Sequence, residues 1–258
     1  MSKATTSSKR SAPIERREGG RAAVRGGPPG WSSIDGIERR EGGRAAVRGG
    51  PPSWSSSGGI EDDEREPSST KQLILARAFE LARKVGLSGL SIGSLADATS
   101  MSKSGLFAHF KSKDALVVQV LGEGADRFVE AVVRPALKKP RGVPRLRAMV
   151  DGWLGWGIGP DSRGCLLAAA SFELDDQPGP ARDALVRHQR DWLDTLAQAV
   201  QIAVAEGHLA AGTDARRVAF ELHGIMLAAH QAARLLDDPD AASRARKSFE
   251  HLVRSYQA

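Results

Sequence analysis

The sequence predicts an all-α protein with a small helical head and a larger helical body. The chain has 258 residues but only five Trp, seven Phe and one Tyr, and it is rich in Ala and Leu. This balance favours helices over sheets. From Thr70 onward the apolar residues recur at helical spacing, and no segment shows the alternation of a half-buried strand. We therefore expect nine helices between residues 71 and 258.

Residues 1–66 form a separate region made of a tandem repeat. The sequence IERREGGRAAVRGGPPGWSS at 14–33 recurs at 37–56 with one change, Ser53 in place of Gly30. Glycine and proline pairs dominate each copy, and the few apolar residues cannot offset the entropy lost on ordering the chain. We predict a disordered tail. The alternative is an Arg-Gly arm that touches nucleic acid, although ten acidic residues nearly cancel the twelve basic ones.

The first four predicted helices have clear start and stop signals. Gly86 can end the first helix, Ser91 can cap the second, the third starts after Ser102, and Ser112 can cap the fourth. The apolar residues that we expect on their buried faces are Ile74, Ala78, Leu81, Ala82, Val85, Ile92, Leu95, Ala96, Leu106, Phe107, Phe110, Leu116, Val120 and Leu121.

Proline and glycine divide the rest of the chain into five further helices. Pro140, Pro144, Pro160, Pro178 and Pro239 are the main breaks. The helices predicted between them cover about 144–157, 163–175, 180–206, 214–236 and 240–256.

Positive charge is concentrated in the predicted head. The whole chain has a formal net charge of +6, and residues 71–118 hold a surplus of four basic residues, whereas residues 119–258 are neutral. The basic residues of the head are Lys71, Arg77, Arg83, Lys84, Lys103, Lys111 and Lys113. A basic head on a neutral body indicates a polyanionic partner at the head.

The second and third predicted helices have the spacing of a helix-turn-helix. Ala96 is small, as required where two helices cross closely, and Met101 can fill the space beneath the turn. In this arrangement the N-terminal half of the later helix enters the major groove of DNA. Gly105 is unfavourable inside a helix but lets the backbone approach DNA closely. The alternative is an incidental helical hairpin.

Two segments of the head, SIGSLA at 91–96 and SKSGLFAHFKSKDAL at 102–116, closely resemble the TetR/AcrR family of transcriptional regulators. The body is also similar to that family at 164–185 and 220–230. The resemblance implies a TetR-like fold with a DNA-binding head at 67–118 and a ligand-binding and dimerisation body at 119–258. It further implies a ligand-responsive regulator, a repressor that binds a palindromic operator in double-stranded DNA as a dimer.

The DNA-contacting residues that the resemblance implies are Ser91, Lys103, Ser104, Gly105, Phe107, His109 and Lys113. Phe107 stands where the family usually has a tyrosine on the DNA backbone, so one phosphate hydrogen bond is absent. Lys113 would bind phosphate with help from the dipole of its helix. Ser91 binds phosphate as well as capping its helix, or it is a cap alone. The sequence departs from the family at Ser100, commonly a glycine, and at Gly93, where longer polar side chains often touch DNA.

A ligand pocket is expected in the body, with an unknown small hydrophobic or aromatic effector and no cofactor or metal. The candidate pocket residues are Trp153, Trp156, Cys165, Phe172, Glu173 and His223. The alternatives are core packing for the two tryptophans, a small buried side chain or a redox sensor for Cys165, and a surface ion pair for Glu173. His223 and His230 share one helix face, as a pocket wall or dimer seam, with metal ligation the alternative.

We expect a homodimer formed through the helices at about 180–206 and 214–236. An apolar stripe with many small residues supports this prediction: Leu222, Ile225, Met226 and Ala229. Two heads held about 34–36 Å apart bind a palindrome together. The chain has one cysteine, no long apolar run and no signal peptide, so we expect a cytoplasmic protein without a membrane partner.

Two other functions compete with this prediction. A helical enzyme acting on a hydrophobic metabolite lacks any nucleophile–base pair or metal-ligand set in the sequence, so we assign no catalytic residues. A protein that coats nucleic acid nonspecifically would depend on the Arg-Gly tail, and it would lose its activity when residues 1–66 are deleted. Operator binding would survive that deletion.

Overall fold

The computed structural model describes residues 70–257. Within this range the chain forms nine helices and no strand, in agreement with the predicted all-α class. The tail predicted over residues 1–66 lies outside the described residues. The helices are α1 (Thr70–Val85), α2 (Ile92–Thr99), α3 (Lys103–Phe110), α4 (Lys113–Phe128), α5 (Val143–Ile158), α6 (Leu166–Leu174), α7 (Pro180–Ala205), α8 (Ala215–Leu235) and α9 (Ala241–Ser255).

Serine side chains start three of the four head helices, as predicted. Ser91 and Ser94 form a reciprocal capping box, in which the Ser91 hydroxyl accepts from the Ser94 amide at 3.0 Å. The hydroxyl of Ser102 accepts from the Gly105 amide, and that of Ser112 from the Ala115 amide, both at 3.1 Å. These bonds satisfy backbone donors that the first turn of a helix leaves without partners.

The head packs α2 and α3 against α1 and the start of α4. Leu106 and Phe110, one turn apart on α3, are buried, and Met101 packs against the core from the turn as expected. Phe107, which we expected to be buried beside them, is 50% exposed. The reason is geometric: successive helix residues are about 100° apart, so Phe107 faces away from the side that Leu106 and Phe110 share.

Helix α4 is longer than predicted and runs from the head into the body. Beyond Phe128 it continues through a π-helical turn, Val129–Val133, and a last α-helical segment, Arg134–Leu137. The amide of Arg134 donates to the carbonyl of Val129, five residues earlier. Pro135 has no amide hydrogen, and its ring would crowd the preceding turn of a regular helix. A wider π turn just before the proline relieves that conflict.

The body is built around α7, which contacts α4, α5, α6 and α8. The apolar side of α7 is buried inside the protomer, and so are Leu222, Met226 and Ala229 of α8. The residues that we predicted for the dimer seam therefore belong mainly to the protomer's own core. A lone amphipathic stripe does not reveal whether it packs against its own chain or a second copy. No helix in residues 70–257 combines the length and apolar character needed to cross a bilayer.

Ser100, at the turn between α2 and α3, provides a test of the backbone geometry. Its φ of 56° and ψ of 28° place it in the left-handed region, which a side chain disfavours. We expect Ser100→Gly to raise the free energy of unfolding by about 0.5–1 kcal/mol because it removes this strain. Urea denaturation measures the change.

Ser102→Ala, two residues away, is the matched control for Ser100→Gly. It removes the cap of α3 and should lower the free energy of unfolding by about 1 kcal/mol. If Ser100→Gly also lowers stability, the left-handed turn does not strain the protein.

Candidate DNA-binding surface and ligand cavity

Helix α3 carries five of the seven predicted DNA-contacting residues. Lys103, Ser104 and Phe107 are exposed on it, with their side chains away from the core. The exposed ring of Phe107 contradicts the alternative in which this residue is wholly buried. At the start of α2, a side chain added at Gly93 would lie within 4 Å of both the Ser91 hydroxyl and the Lys103 stem. The N-termini of α2 and α3 therefore lie side by side.

Gly105 and His109 are only half-buried, so both have local packing roles. A Cβ atom at Gly105 would lie 3.2 Å from the hydroxyl of Ser102, the same group that caps α3. The small size of Gly105 thus leaves room for the cap, in addition to any approach of DNA. The imidazole of His109 lies next to the ring of Phe110, with 6.3 Å between their centroids.

Lys113 is exposed in the first turn of α4, as its predicted phosphate contact requires. Its ammonium lies 3.5 Å from the carbonyl oxygen of Ser88, in the turn that joins α1 to α2. This distance is at the long end of hydrogen bonding, so the side chain is free to reorient toward a phosphate.

Arg83, counted among the basic residues of the head, points into the body. Its Nε donates to the carbonyl of Gly164 at 3.2 Å, and its guanidinium stacks over Trp156 at 5.2 Å. It also pairs with Glu80 at 3.6 Å. The positive surface that the head offers to DNA is accordingly smaller than its sequence charge indicates.

The body encloses a cavity of about 20 Å³ between five helices, room for about one water molecule. Trp153, Cys165 and His223, three of the predicted pocket residues, line it. The remaining wall residues are Phe128, Leu167, Ala168, His188, Gln189 and Trp192. The sequence analysis missed these six, although His188 and Trp192 stand one turn apart on the buried side of α7.

Three nitrogen atoms at the cavity wall have no hydrogen-bond partner among the described protein atoms. They are His188 Nδ1, Trp192 Nε1 and His223 Nδ1. Burial lowers the pKa of both histidines, and the nearby charge of Arg187 lowers that of His188 further. Both imidazoles are therefore neutral at pH 7. Buried polar groups in native proteins are almost always paired, so these three nitrogen atoms require a partner outside the chain, either an ordered water molecule or a ligand.

Cys165 and His230, which the sequence offered as a redox sensor and a metal ligand, have structural roles instead. Burial raises the pKa of the Cys165 thiol, which keeps it protonated and disfavours the redox-sensing alternative. The amide of Cys165 donates to His230 Nε2 at 3.3 Å, and the His230 ring meets the edge of Trp153 at 6.2 Å. In the described residues, no three His, Cys, Asp or Glu side chains converge as a metal site.

Trp156, Phe172 and Glu173 do not line the cavity, in contrast to the prediction. Trp156 packs between Phe79 of the head and Phe128 of α4, at 6.5 and 6.3 Å. Phe172 is 74% exposed. The prediction used local signals, namely glycines beside a tryptophan and an acidic residue beside a phenylalanine. Such signals do not show which face of a helix lines a cavity.

Glu173 instead binds the head. Its carboxylate accepts from the amide of Leu87 at 3.2 Å and from both the amide and the hydroxyl of Ser88, at 2.8 and 2.9 Å. Glu173 lies in the last turn of α6, the helix whose first turn supplies Leu167 and Ala168 to the cavity. One nine-residue helix thus joins the cavity wall to the turn that precedes α2.

Two family models match the chain over the head and the body. The model described as "Bacterial regulatory proteins, tetR family" matches residues 74–120, and "Tetracyclin repressor-like, C-terminal domain" matches residues 142–249. The chain belongs to the TetR family. Members of this family are ligand-responsive, DNA-binding transcriptional repressors, and the helix-turn-helix and the enclosed cavity described above fit that activity.

Solved structures of TetR-family regulators share the fold. One from Chloroflexus aurantiacus is 24% identical, covers 71% of this chain and 92% of its own, and has a TM-score of 0.63. AibR, in complex with isovaleryl coenzyme A and operator DNA, is 24% identical over 68% of this chain and 95% of its own, with a TM-score of 0.56. A Streptomyces coelicolor regulator is 20% identical over 72% and 94%, with a TM-score of 0.63. No curated protein sequence matches the chain.

The exposed ring of Phe107 leads to a prediction about DNA affinity. Phe107→Tyr adds a hydroxyl on the outer face of α3, where it can donate to a phosphate. We expect DNA binding to strengthen by about 0.5–1.5 kcal/mol per head, with the melting temperature nearly unchanged. Specific and nonspecific DNA should gain alike, since phosphate contacts carry little sequence information. Fluorescence anisotropy with both DNAs measures the gain.

Phe110→Tyr is the control for that substitution, because it adds the same hydroxyl to a buried ring of the same helix. It should lower the melting temperature without increasing affinity. If Phe107→Tyr behaves in the same way, Phe107 does not face DNA.

The contact between Glu173 and the head leads to a prediction about stability. Glu173→Ala removes the acceptor for three donors of Leu87 and Ser88, at a cost of about 1 kcal/mol in the free energy of unfolding. The amide hydrogens of Leu87 and Ser88 should also exchange faster with solvent. Asp176→Ala removes an exposed carboxylate three residues away and should change neither quantity. Unaltered exchange at Leu87 and Ser88 in Glu173→Ala would contradict the contact.

Proposed function

We propose that the chain is a homodimeric repressor that releases a palindromic operator when a small ligand enters the cavity in the body. The observation that carries this proposal is that two helices connect the cavity to the head. Helix α4 contributes Phe128 to the cavity and packs against α1 and α3 in the head. Helix α6 contributes Leu167 to the cavity and Glu173 to the head.

A ligand larger than one water has to move the cavity walls, because the space between them is so small. Phe128 is the wall residue on α4, and its ring meets Trp192 edge-to-face at 5.0 Å. The π turn starts at the next residue, Val129. Single π turns are often found at functional sites, and they are among the places where helices kink. Displacement of Phe128 would accordingly rotate the part of α4 that carries the head.

The ligand works as an effector only if it binds the two arrangements of the head with different affinity. The contacts of Glu173 and Arg83 fix one arrangement of the head against the body. A ligand that shifts α6 would loosen both contacts, since Gly164 precedes α6 and Glu173 lies in its last turn. The spacing of the two heads in a dimer then no longer matches one turn of DNA.

The proposed dimer surface lies on the outer faces of α8 and α9. Phe220 is 73% exposed, and Leu235 and Leu236 are nearly as exposed. Gly224 and Ala228, also exposed, lie on the same side of α8 as Phe220 and let another helix approach closely. Unlike the stripe predicted from the sequence, these residues have no large contact inside the protomer. We therefore propose α8 with α9 as the interface, in place of α7 with α8.

Selection of random double-stranded DNA by the purified protein tests the proposed function. We expect enrichment of one inverted repeat, and a protein–DNA complex whose mass corresponds to two chains per site. The same selection with a variant lacking residues 1–66 is the control, and it should yield the same repeat. Loss of all binding in that variant would support a coating protein that depends on its tail. Enrichment of a single unrepeated half-site would contradict dimeric binding.

The exposed ammonium of Lys113 leads to a prediction about salt. If Lys113 binds phosphate, Lys113→Ala should weaken binding to all DNA sequences by a similar factor. The slope of log K against log salt concentration should fall by about one unit per subunit. Lys138→Ala removes an exposed lysine of the body and should leave the slope unchanged. An unchanged slope in Lys113→Ala would exclude Lys113 from the DNA surface.

A further inference from the structure

We propose that the cavity binds a small, uncharged aromatic compound that carries a hydroxyl group. This inference rests on the proposed function, because it names the effector of the same cavity. Three features of the cavity wall support it: polar atoms without partners, the absence of charged side chains, and the aromatic rings around the space.

The unpartnered nitrogens define the polar group of the ligand. His188 is only 7% exposed and Trp192 only 3%, and the two side chains lie one turn apart on α7. His223 approaches from α8. An indole N–H only donates, so the ligand must accept a hydrogen bond from Trp192. A neutral imidazole nitrogen either accepts or donates, and a hydroxyl is the smallest ligand group that can accept from an indole N–H and also pair with either form of imidazole.

The lining excludes a charged ligand. No Lys, Arg, Asp or Glu is among the residues that line this cavity. The one amide side chain, Gln189, already donates to the Leu167 carbonyl and to the Ser171 hydroxyl. A carboxylate or ammonium in this space would be buried without a counter-charge, which is strongly unfavourable. An acyl-coenzyme A, the class of ligand in the AibR structure, carries several phosphate charges and does not fit these walls.

The rings of the wall favour an aromatic ligand. Phe128 and Trp192 already meet edge-to-face, and Trp153 is buried on the opposite helix, α5. A planar ring that enters between these helices exchanges one set of aromatic contacts for another. The energetic cost of opening the cavity is thereby reduced for an aromatic compound, whereas an aliphatic chain gains no such edge-to-face contacts.

Three probes of similar size separate the parts of this proposal: p-cresol, toluene and 4-hydroxybenzoate. The full-length protein, labelled with ¹⁵N at its tryptophan indoles, is titrated with each probe and followed by NMR. We expect p-cresol to bind about tenfold more tightly than toluene, the ratio that one hydrogen bond of ordinary strength supplies. It should shift the Trp192 indole resonance most. 4-Hydroxybenzoate should bind more weakly than p-cresol at pH 7.

Trp192→Phe tests the assigned donor, because it removes the N–H and keeps an aromatic ring. The preference for p-cresol over toluene should fall to below about threefold in this variant. Trp156→Phe is the matched control: Trp156 also touches Phe128, yet it lies outside the cavity, and its loss should leave the preference intact. Where Trp192→Phe does not fold, as judged by circular dichroism, His223→Leu replaces it with the same expectation.

Each contrary result overturns the inference. Equal binding of toluene and p-cresol would contradict the proposed hydrogen bond. Tightest binding of 4-hydroxybenzoate would contradict the exclusion of charged ligands. If no probe binds, the ligand is not a small aromatic compound. These titrations contain no DNA, so their failure is distinct from failure of the operator selection. A protein that selects a palindrome but ignores p-cresol would keep the proposed function and lose this assignment of its ligand.

Discussion

The packing of Phe128 against Trp192 and Trp156 is the contact on which the rest of the structure depends. Phe128 belongs to α4, the one helix that forms part of both the head and the body. Trp192 lies on α7 at the centre of the body, whereas Trp156 reaches Phe79 and Arg83 of the head. One ring therefore connects the cavity, the body core and the head. Aromatic contacts have preferred geometries, so a displaced ring has few alternative positions, and a small change in the cavity has a defined effect on α4.

The molecule combines well-satisfied helix ends with an unsatisfied interior. The hydroxyls of Ser91, Ser102 and Ser112 pair with backbone donors in the head. In the cavity, by contrast, His188 and Trp192 bury nitrogen atoms that have no protein partner. Each such atom costs about 1–3 kcal/mol relative to a paired one. The side chains that line the cavity hold three of these atoms, which fits a binding site at this place.

The coupling between cavity and head uses short polar contacts as well as packing. Glu173 and Arg83 join the two parts at opposite ends of the same junction, one through a carboxylate and one through a guanidinium. Because these contacts are partly exposed, they break at lower cost than buried ones, which suits the rearrangement that we propose for this junction. The larger apolar contacts of α4 with α1 would hold the head in place during that proposed change.

The sequence by itself determined the local structure: the nine helices of residues 70–257, their capping serines and the membership of the TetR family. These depend on residues within a few positions of one another, and hydrogen-bond caps and helical periodicity are visible at that range. Only the tertiary structure decided what each helix face contacts. Glu173 and Arg83 turned out to join head and body, Leu222 and Met226 became core, and His188 and Trp192 reached the cavity. An apolar or polar side chain looks the same in sequence whether its partner is its own body, a second copy or a ligand, because burial depends on residues far away along the chain.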